Sequence, residues 1–244
     1  MARQKGIIRM AGTIDGLNFY DSKYGDLIRE SGGGFNSTSS KKYPRIKENN
    51  DEMGMASKVN GVFKRSFADM LLGYKDGTLH YRLQSLFMSI KDLDAISERG
   101  KRHVAIGMAT DYGKRLLKDF KFTPKRSPLL HGRLDFDWDT HTLTVSQFDI
   151  QAVSMPEGAD LMGLELLTVN FNFELLEYDT ERSALLELHR DFGDSEFSLQ
   201  TEILPNGPGI RYAMLRVAFY QQVNGVNYFL KGGDGFGLGI VAIL

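Results

Sequence analysis

Apolar and polar positions change their period along the chain. Residues 6–31 hold three short runs, GIIRMAGTI, LNFYDS and DLIRES, separated by Asp15-Gly16 and by Lys23-Tyr24-Gly25-Asp26. An Asp-Gly pair between β-prone runs signals a tight hairpin, because both central residues of a type I′ turn need positive φ. Three short antiparallel strands follow. A meander of that size has too little apolar surface to stand alone, so it must dock on the C-terminal half of the chain or on a neighbouring subunit. The side chains that would form such an assembly arm are Ile7, Ile8, Ile14, Leu17, Phe19, Tyr20, Leu27 and Ile28.

GGGFNSTSSKKYPR, residues 32–45, has the composition of a flexible tether. From Asn50 to about Tyr74 the spacing becomes three and four: Met53, Ala56, Val59, Val62, Phe63, Phe67, Met70 and Leu71. Asn49, Asn50 or Asp51 can cap this helix, with Glu52 in its first turn. Lys75-Asp76-Gly77 ends it, and a second helix over Thr78–Leu93 completes an antiparallel hairpin. A short helix over Tyr112–Phe120 gives way to extended chain near Pro124–Pro128.

From Gly132 on, the runs alternate or are β-branched and aromatic, with Asn224-Gly225 a second clear hairpin turn. The fold class is therefore α+β: an N-terminal β-meander arm and helical hairpin, followed by a C-terminal antiparallel β-sandwich of about eight strands. The expected division is 1–45 for arm and tether, 46–126 for a basic helical region and 127–244 for an acidic sandwich. The last strand, FGLGIVAIL, is nearly all apolar, which places it centrally in the sheet or under another chain.

Charge sharpens this division. The net charge is −1, yet residues 1–126 carry 24 Lys+Arg against 14 Asp+Glu, and residues 127–244 carry 6 against 17. Such asymmetry asks for an electrostatic partner for each half. The simplest partner for the basic half is the acidic half, in the same chain or the next copy. The candidate basic interface is Lys41, Lys42, Arg45, Lys101, Arg102, Lys114 and Arg115. Lysines and arginines interleaved with aromatics also fit nucleic acid, but the acidic half would repel phosphate.

Composition closes several routes. With no cysteine there is no disulfide, no thiolate nucleophile and no cysteine-bound zinc or iron–sulfur centre. Arg9 interrupts the only apolar run near the start, so no secretory signal is read, and no window reaches the roughly 18 apolar residues of a membrane-spanning helix. A chain made in the cytoplasm and not inserted in a membrane is expected, reaching the outside only by lysis or a route that uses no secretory signal.

Candidate chemistry is thin. His131 and His141 flank DFDWDT and could meet across a hairpin beside Asp137 and Asp139, but without a short ligand spacing they read as surface residues. GGGF and KGGDGFGLG lack the GxxxxGK[ST] arrangement that cradles phosphates, and the second leads into a strand. Glu165, Glu174, Glu187, Glu196 and Glu202 fall at alternating strand positions and read as a solvated face able to meet positive charge. No catalytic, cofactor or metal site is expected.

Lys5, Gly6, Ile8, Gly12, Thr13, Ile14, Gly16, Phe19, Tyr20, Gly25, Arg29, Glu30 and Gly32, with ERGKRHVAIG as a second block, resemble a pattern. That pattern, KGxIKxxGTIGGxxFYKxxxGxxxRExGG, belongs to an uncharacterised family of Bacteroidota proteins; Asp15 stands where it has glycine. The resemblance implies a genuine N-terminal module and brings no activity with it. Together these features lead to the expectation of a non-enzymatic structural subunit of a homomeric or phage-like filament, tube or shell. Its partners would be copies of itself or other assembly proteins. The alternatives are a sandwich that binds carbohydrate or protein, with Trp138 and exposed tyrosines as its platforms, and a nucleic-acid-associated protein.

Overall fold

The structure is a computed structural model that describes residues 2–3, 10–22, 25–31, 43–232 and 234–244. It comprises two compact units, Met1–Lys47 and Glu48–Leu244. The first is an antiparallel sheet of β1 (Ala2–Arg3), β2 (Gly12–Ile14), β3 (Leu17–Ser22) and β4 (Gly25–Glu30), in the order β1-β4-β3-β2. Asp15 (φ 45°) and Gly16 (φ 75°) form the expected type I′ turn. The turn fixes the pairing of Ile14 with Leu17, and β3 then runs against β4 from Leu17↔Glu30 to Ser22↔Gly25.

The second unit begins with α1 (Pro44–Ser66), whose first turn lies in the first unit, and continues through α2 (Leu79–Lys91), α3 (Val104–Met108) and α4 (Asp111–Lys118). α1 starts six residues before the expected Asn50 because Pro44 occupies its first turn, where a missing N–H and a preset φ cost nothing. It stops at Ser66, short of Tyr74, and a 3-10 turn at Asp69–Leu71 and Gly73 (φ 85°) close the corner. Its buried stripe is Glu52, Ala56, Val59, Asn60, Phe63 and Ser66; Met53, expected inside, is 55% exposed.

The strands are β5 (Arg133–Asp137), β6 (Thr142–Ser146), β7 (Leu161–Asn172), β8 (Glu177–Arg182), β9 (Leu186–His189), β10 (Glu196–Gln200), β11 (Ile210–Val223), β12 (Val226–Phe229) and β13 (Phe236–Ile243). β7 and β11, 12 and 14 residues long, pair along the middle of a six-stranded sheet. β8 and β9 share the outer side of β7, and β12 and β13 share the outer side of β11. β10-β6-β5 make a separate three-stranded sheet. All pairings are antiparallel, as expected.

Both faces of the large sheet are covered. Leu167, Val169, Phe171, Tyr212, Met214 and Phe236 pack against the helices, centred on Phe63, Phe67, Phe87 and Phe122. Met162, Leu164, Leu166, Leu215, Val217 and Phe219 pack against the small sheet, through Leu143, Val145 and Leu199. This two-sided cover explains the nearly continuous apolar run of β7. The helical stretch and the strand-rich stretch, expected as segments meeting near residue 126, thus share one core.

The apolar last strand is not central in its sheet. β13 lies on the outer side of β11, and at Leu238 its free edge is capped from within: Thr123 Oγ1 accepts from Leu238 N–H at 3.0 Å and donates to Leu238 C=O at 3.3 Å.

Candidate functional site

The N-terminal module is the surface the sequence singles out. Its register puts Ile14, Leu17, Phe19 and Ile28 on one face, and Tyr20 and Leu27 on the other. Only Phe19 is buried, at 8%; Ile14 is 53% and Leu17 39% exposed, and Tyr20, Leu27 and Ile28 are intermediate. The Arg29 guanidinium lies 5.2 Å from the Tyr20 ring centre. The apolar face is edged by Asp21, Asp26 and Glu30, so the described strands are acidic as well as apolar. Ile7 and Ile8 lie outside the described residues.

The described basic residues differ in their surroundings. Lys41 and Lys42 lie outside the described residues, and most of the tether does too. Arg45 is exposed in the first turn of α1, and Arg115 is exposed and Lys114 half-buried on α4. Lys101 pairs with Glu98 at 3.0 Å on the surface. Arg102 is no free cation: it grips the Glu52 carboxylate with Nε at 2.8 Å and Nη2 at 2.9 Å, and reaches Asp92 at 2.8 Å.

That grip belongs to a buried charge cluster invisible in the sequence. Glu52, 3% exposed, also accepts from Lys91 Nζ at 2.5 Å and from Gly100 N–H at 2.7 Å. The Arg102 bond, opposed by burial and aided by Lys91 and Gly100, lowers its carboxyl from an ordinary 4.5 to about 2. A few residues away, Asp94 accepts from the backbone N–H groups of Ile96, Ser97 and His103. Burial raises its pKa, but those bonds outweigh burial and hold it well below the ordinary value. Glu52 thus pins the segment 92–103 to α1 through Gly100 and Arg102, and Asp94 folds that segment on itself. The chemistry is structural, because every lone pair in use points at a protein donor.

The acidic face is also reorganised. Glu165, read as solvated, is mostly buried; it pairs with Arg216 across β7 and β11, and Arg182 lies 3.7 Å away. A solvated acidic run does exist on β8, where Glu177 and Asp179 are exposed and Glu181 half-buried. Among the described residues one ion pair joins the two halves of the sequence, Arg182 to Asp69 at 3.5 Å, and there the acid comes from the basic half.

Trp138 is half-buried, its ring edge-on to Phe136 at 4.7 Å, with the Arg211 guanidinium 5.9 Å from its centre. It is built into the small sheet's packing rather than offered as a flat platform. Tyr212 is fully buried with its hydroxyl 3.0 Å from Ser66 Oγ, and burial pushes its pKa far above the ordinary value, so it stays neutral. Among the described residues no three His, Cys, Asp or Glu side chains converge as metal ligands, and no helix is long and apolar enough to cross a membrane. No protein-family model, no curated protein and no solved structure matches this chain.

Proposed function

We propose that the protein is a structural subunit that self-associates through its N-terminal strand module. One observation carries this reading: the described strands of the first unit form a sheet with Ile14 and Leu17 left 53% and 39% exposed, while the second unit covers both faces of its large sheet from its own residues. A sheet of short strands without a covering layer is marginal in water. Its apolar face and its sheet edge, which no further strand joins among the described residues, gain most by adding to another copy, where main-chain hydrogen bonds supply affinity. Repeated head-to-tail, such a contact yields a polymer when the rotation does not close.

Light scattering and negative-stain microscopy of the full chain, beside a chain lacking residues 1–34, test the reading at low and high salt. Ordered particles that vanish with the deletion are expected. A full chain that stays monomeric at high concentration and low salt overturns it.

A further inference from the structure

The segment 125–131, the segment 153–156 and Asp234 enclose a cavity of about 360 Å³. Its walls combine Val153 and Met155 with the charged or titratable side chains of Lys125, Arg126, His131 and Asp234. Polar and apolar surface line it in about equal measure, so it offers convergent polar groups beside an apolar wall.

Arg126 is seated with care. Its guanidinium lies 4.2 Å from the centre of the Phe219 ring, and Nη1 donates to the backbone carbonyls of Ser154 at 3.3 Å and Asp234 at 2.8 Å. The strand beneath it makes room: a Cβ at Gly237 would stand 3.0 Å from Arg126 Cδ and 2.7 Å from Leu129 Cδ1. A glycine inside a strand marks such a close approach. What the seat lacks is an anion. Among the described residues Arg126 forms no ion pair within 4.0 Å, and its buried Nε has no hydrogen-bond partner. Burial, opposed by the charge of Asp234, lowers its pKa. A half-buried guanidinium whose Nε is unpartnered and whose Nη1 meets neutral carbonyls recovers only part of its desolvation cost.

From this geometry we propose that the pocket binds an organic monocarboxylate bearing a short apolar tail. The charge count selects the head group. Lys125 and Arg126 against Asp234 leave one formal positive charge, which a carboxylate cancels and a dianionic phosphate exceeds beside Asp234. The carboxylate need not touch the covered Nε, since attraction across a poorly solvated wall is several times that in water. Val153 and Met155 receive the tail. The site is independent of the self-association reading and of the N-terminal module.

Calorimetric titration of the full chain with hexanoate, hexan-1-ol and inorganic phosphate, read beside the Met155 methyl resonance, tests it. Saturable hexanoate binding that moves the Met155 signal is expected, with hexanol at least about tenfold weaker, the loss of roughly one charge-assisted contact. Arg126→Gln should abolish binding. Because that variant removes bonds to the backbone and can fail to fold, Lys125→Gln provides the second arm; Lys125 is exposed and enters no ion pair among the described residues, and its loss should weaken hexanoate about fivefold without moving the melting temperature. No saturable binding, hexanol as tight as hexanoate, phosphate tighter than hexanoate, an unmoved Met155 signal, or a Lys125→Gln variant that binds hexanoate as the parent does would each overturn the proposal.

Discussion

The chain makes the same two-residue turn in both of its units. Asp15-Gly16 has φ values of 45° and 75°, and Asn224-Gly225 has 53° and 78°. Both reverse the chain between antiparallel strands, Ile14 against Leu17 in one unit and Val223 against Val226 in the other. Beyond the turns the units diverge. β11 runs on from its hairpin into a sheet covered by helices on one side and strands on the other, whereas β2–β4 carry exposed apolar side chains. Turn chemistry sets local pairing, and stability comes from what is laid over the strands.

The strongest way to break this contrast is to remove one phenylalanine from each unit. Phe63 is fully buried and meets the rings of Phe67, Phe87, Phe171, Phe173 and Tyr212 within about 6 Å. Phe63→Ala should cost about 3–5 kcal/mol in urea unfolding. Phe19→Ala should leave that transition within about 0.5 kcal/mol, as a substitution outside the second unit's core, and should abolish the particles seen by light scattering. Loss of second-unit stability in Phe19→Ala would show that the first unit supports the second.

Next in size is the Glu52 cluster. Glu52→Gln leaves Lys91 and Arg102 short of a buried counter-charge and should cost about 3 kcal/mol. The pH dependence has a definite sign. The folded pKa lies below the unfolded one, so the stabilisation is complete above an ordinary 4.5 and is lost as the pH falls toward about 2. Over that window the parent should lose on the order of 3 kcal/mol relative to Glu52→Gln, read from urea midpoints at matched ionic strength. Parallel pH profiles for the two chains would refute the role given to Glu52.

Particular residues show how far the sequence could be read. Both Asx-Gly turns, the antiparallel strands and the helix at Leu79–Lys91 follow local rules of spacing and positive φ, whereas the turn near Leu176 (φ 59°) that parts β7 from β8 inside one apolar run does not. Partners distant in sequence decide the rest. Glu52 enters the core in place of Met53 because Lys91 and Arg102 lie 39 and 50 residues away, a distance no helical period encodes. Thr123 caps Leu238 from 115 residues away. Two signals were present but unused. Pro44 is a good first-turn residue for a helix, and Gly237 in an apolar strand announced the close approach of Arg126. Of the candidate interface, the meander's facing was legible from alternation, but the pairing of Arg102 was not.

A smaller effect tests edge protection. Thr123→Val keeps the shape and removes both hydrogen bonds to Leu238, leaving a buried N–H and C=O without partners for about 1–2 kcal/mol, read from thermal unfolding. If the uncapped edge then pairs with other chains, particles should form even in the chain lacking residues 1–34. That would transfer to the second unit a behaviour reserved for the first.

The finest contrast uses the twin turns themselves. Gly16→Val and Gly225→Val impose the same strain, a β-branched residue at φ 75° and 78°, and in neither place would the added Cβ meet an atom within 4 Å. The local cost is therefore the same at both sites, about 1–3 kcal/mol of backbone energy. The readouts should separate. At Gly225 the hairpin of β11 and β12 is joined to the covered sheet through Tyr220↔Phe229, so part of the strain should appear as a lower melting temperature with assembly intact. At Gly16 the strain falls on three-residue β2, which pairs only with β3 among the described strands. Fraying β2 costs the second unit nothing, so the melting temperature should hold while assembly, scored by light scattering, falls. Equal effects on both readouts at the two turns would mean that the units do not divide stability and association between them.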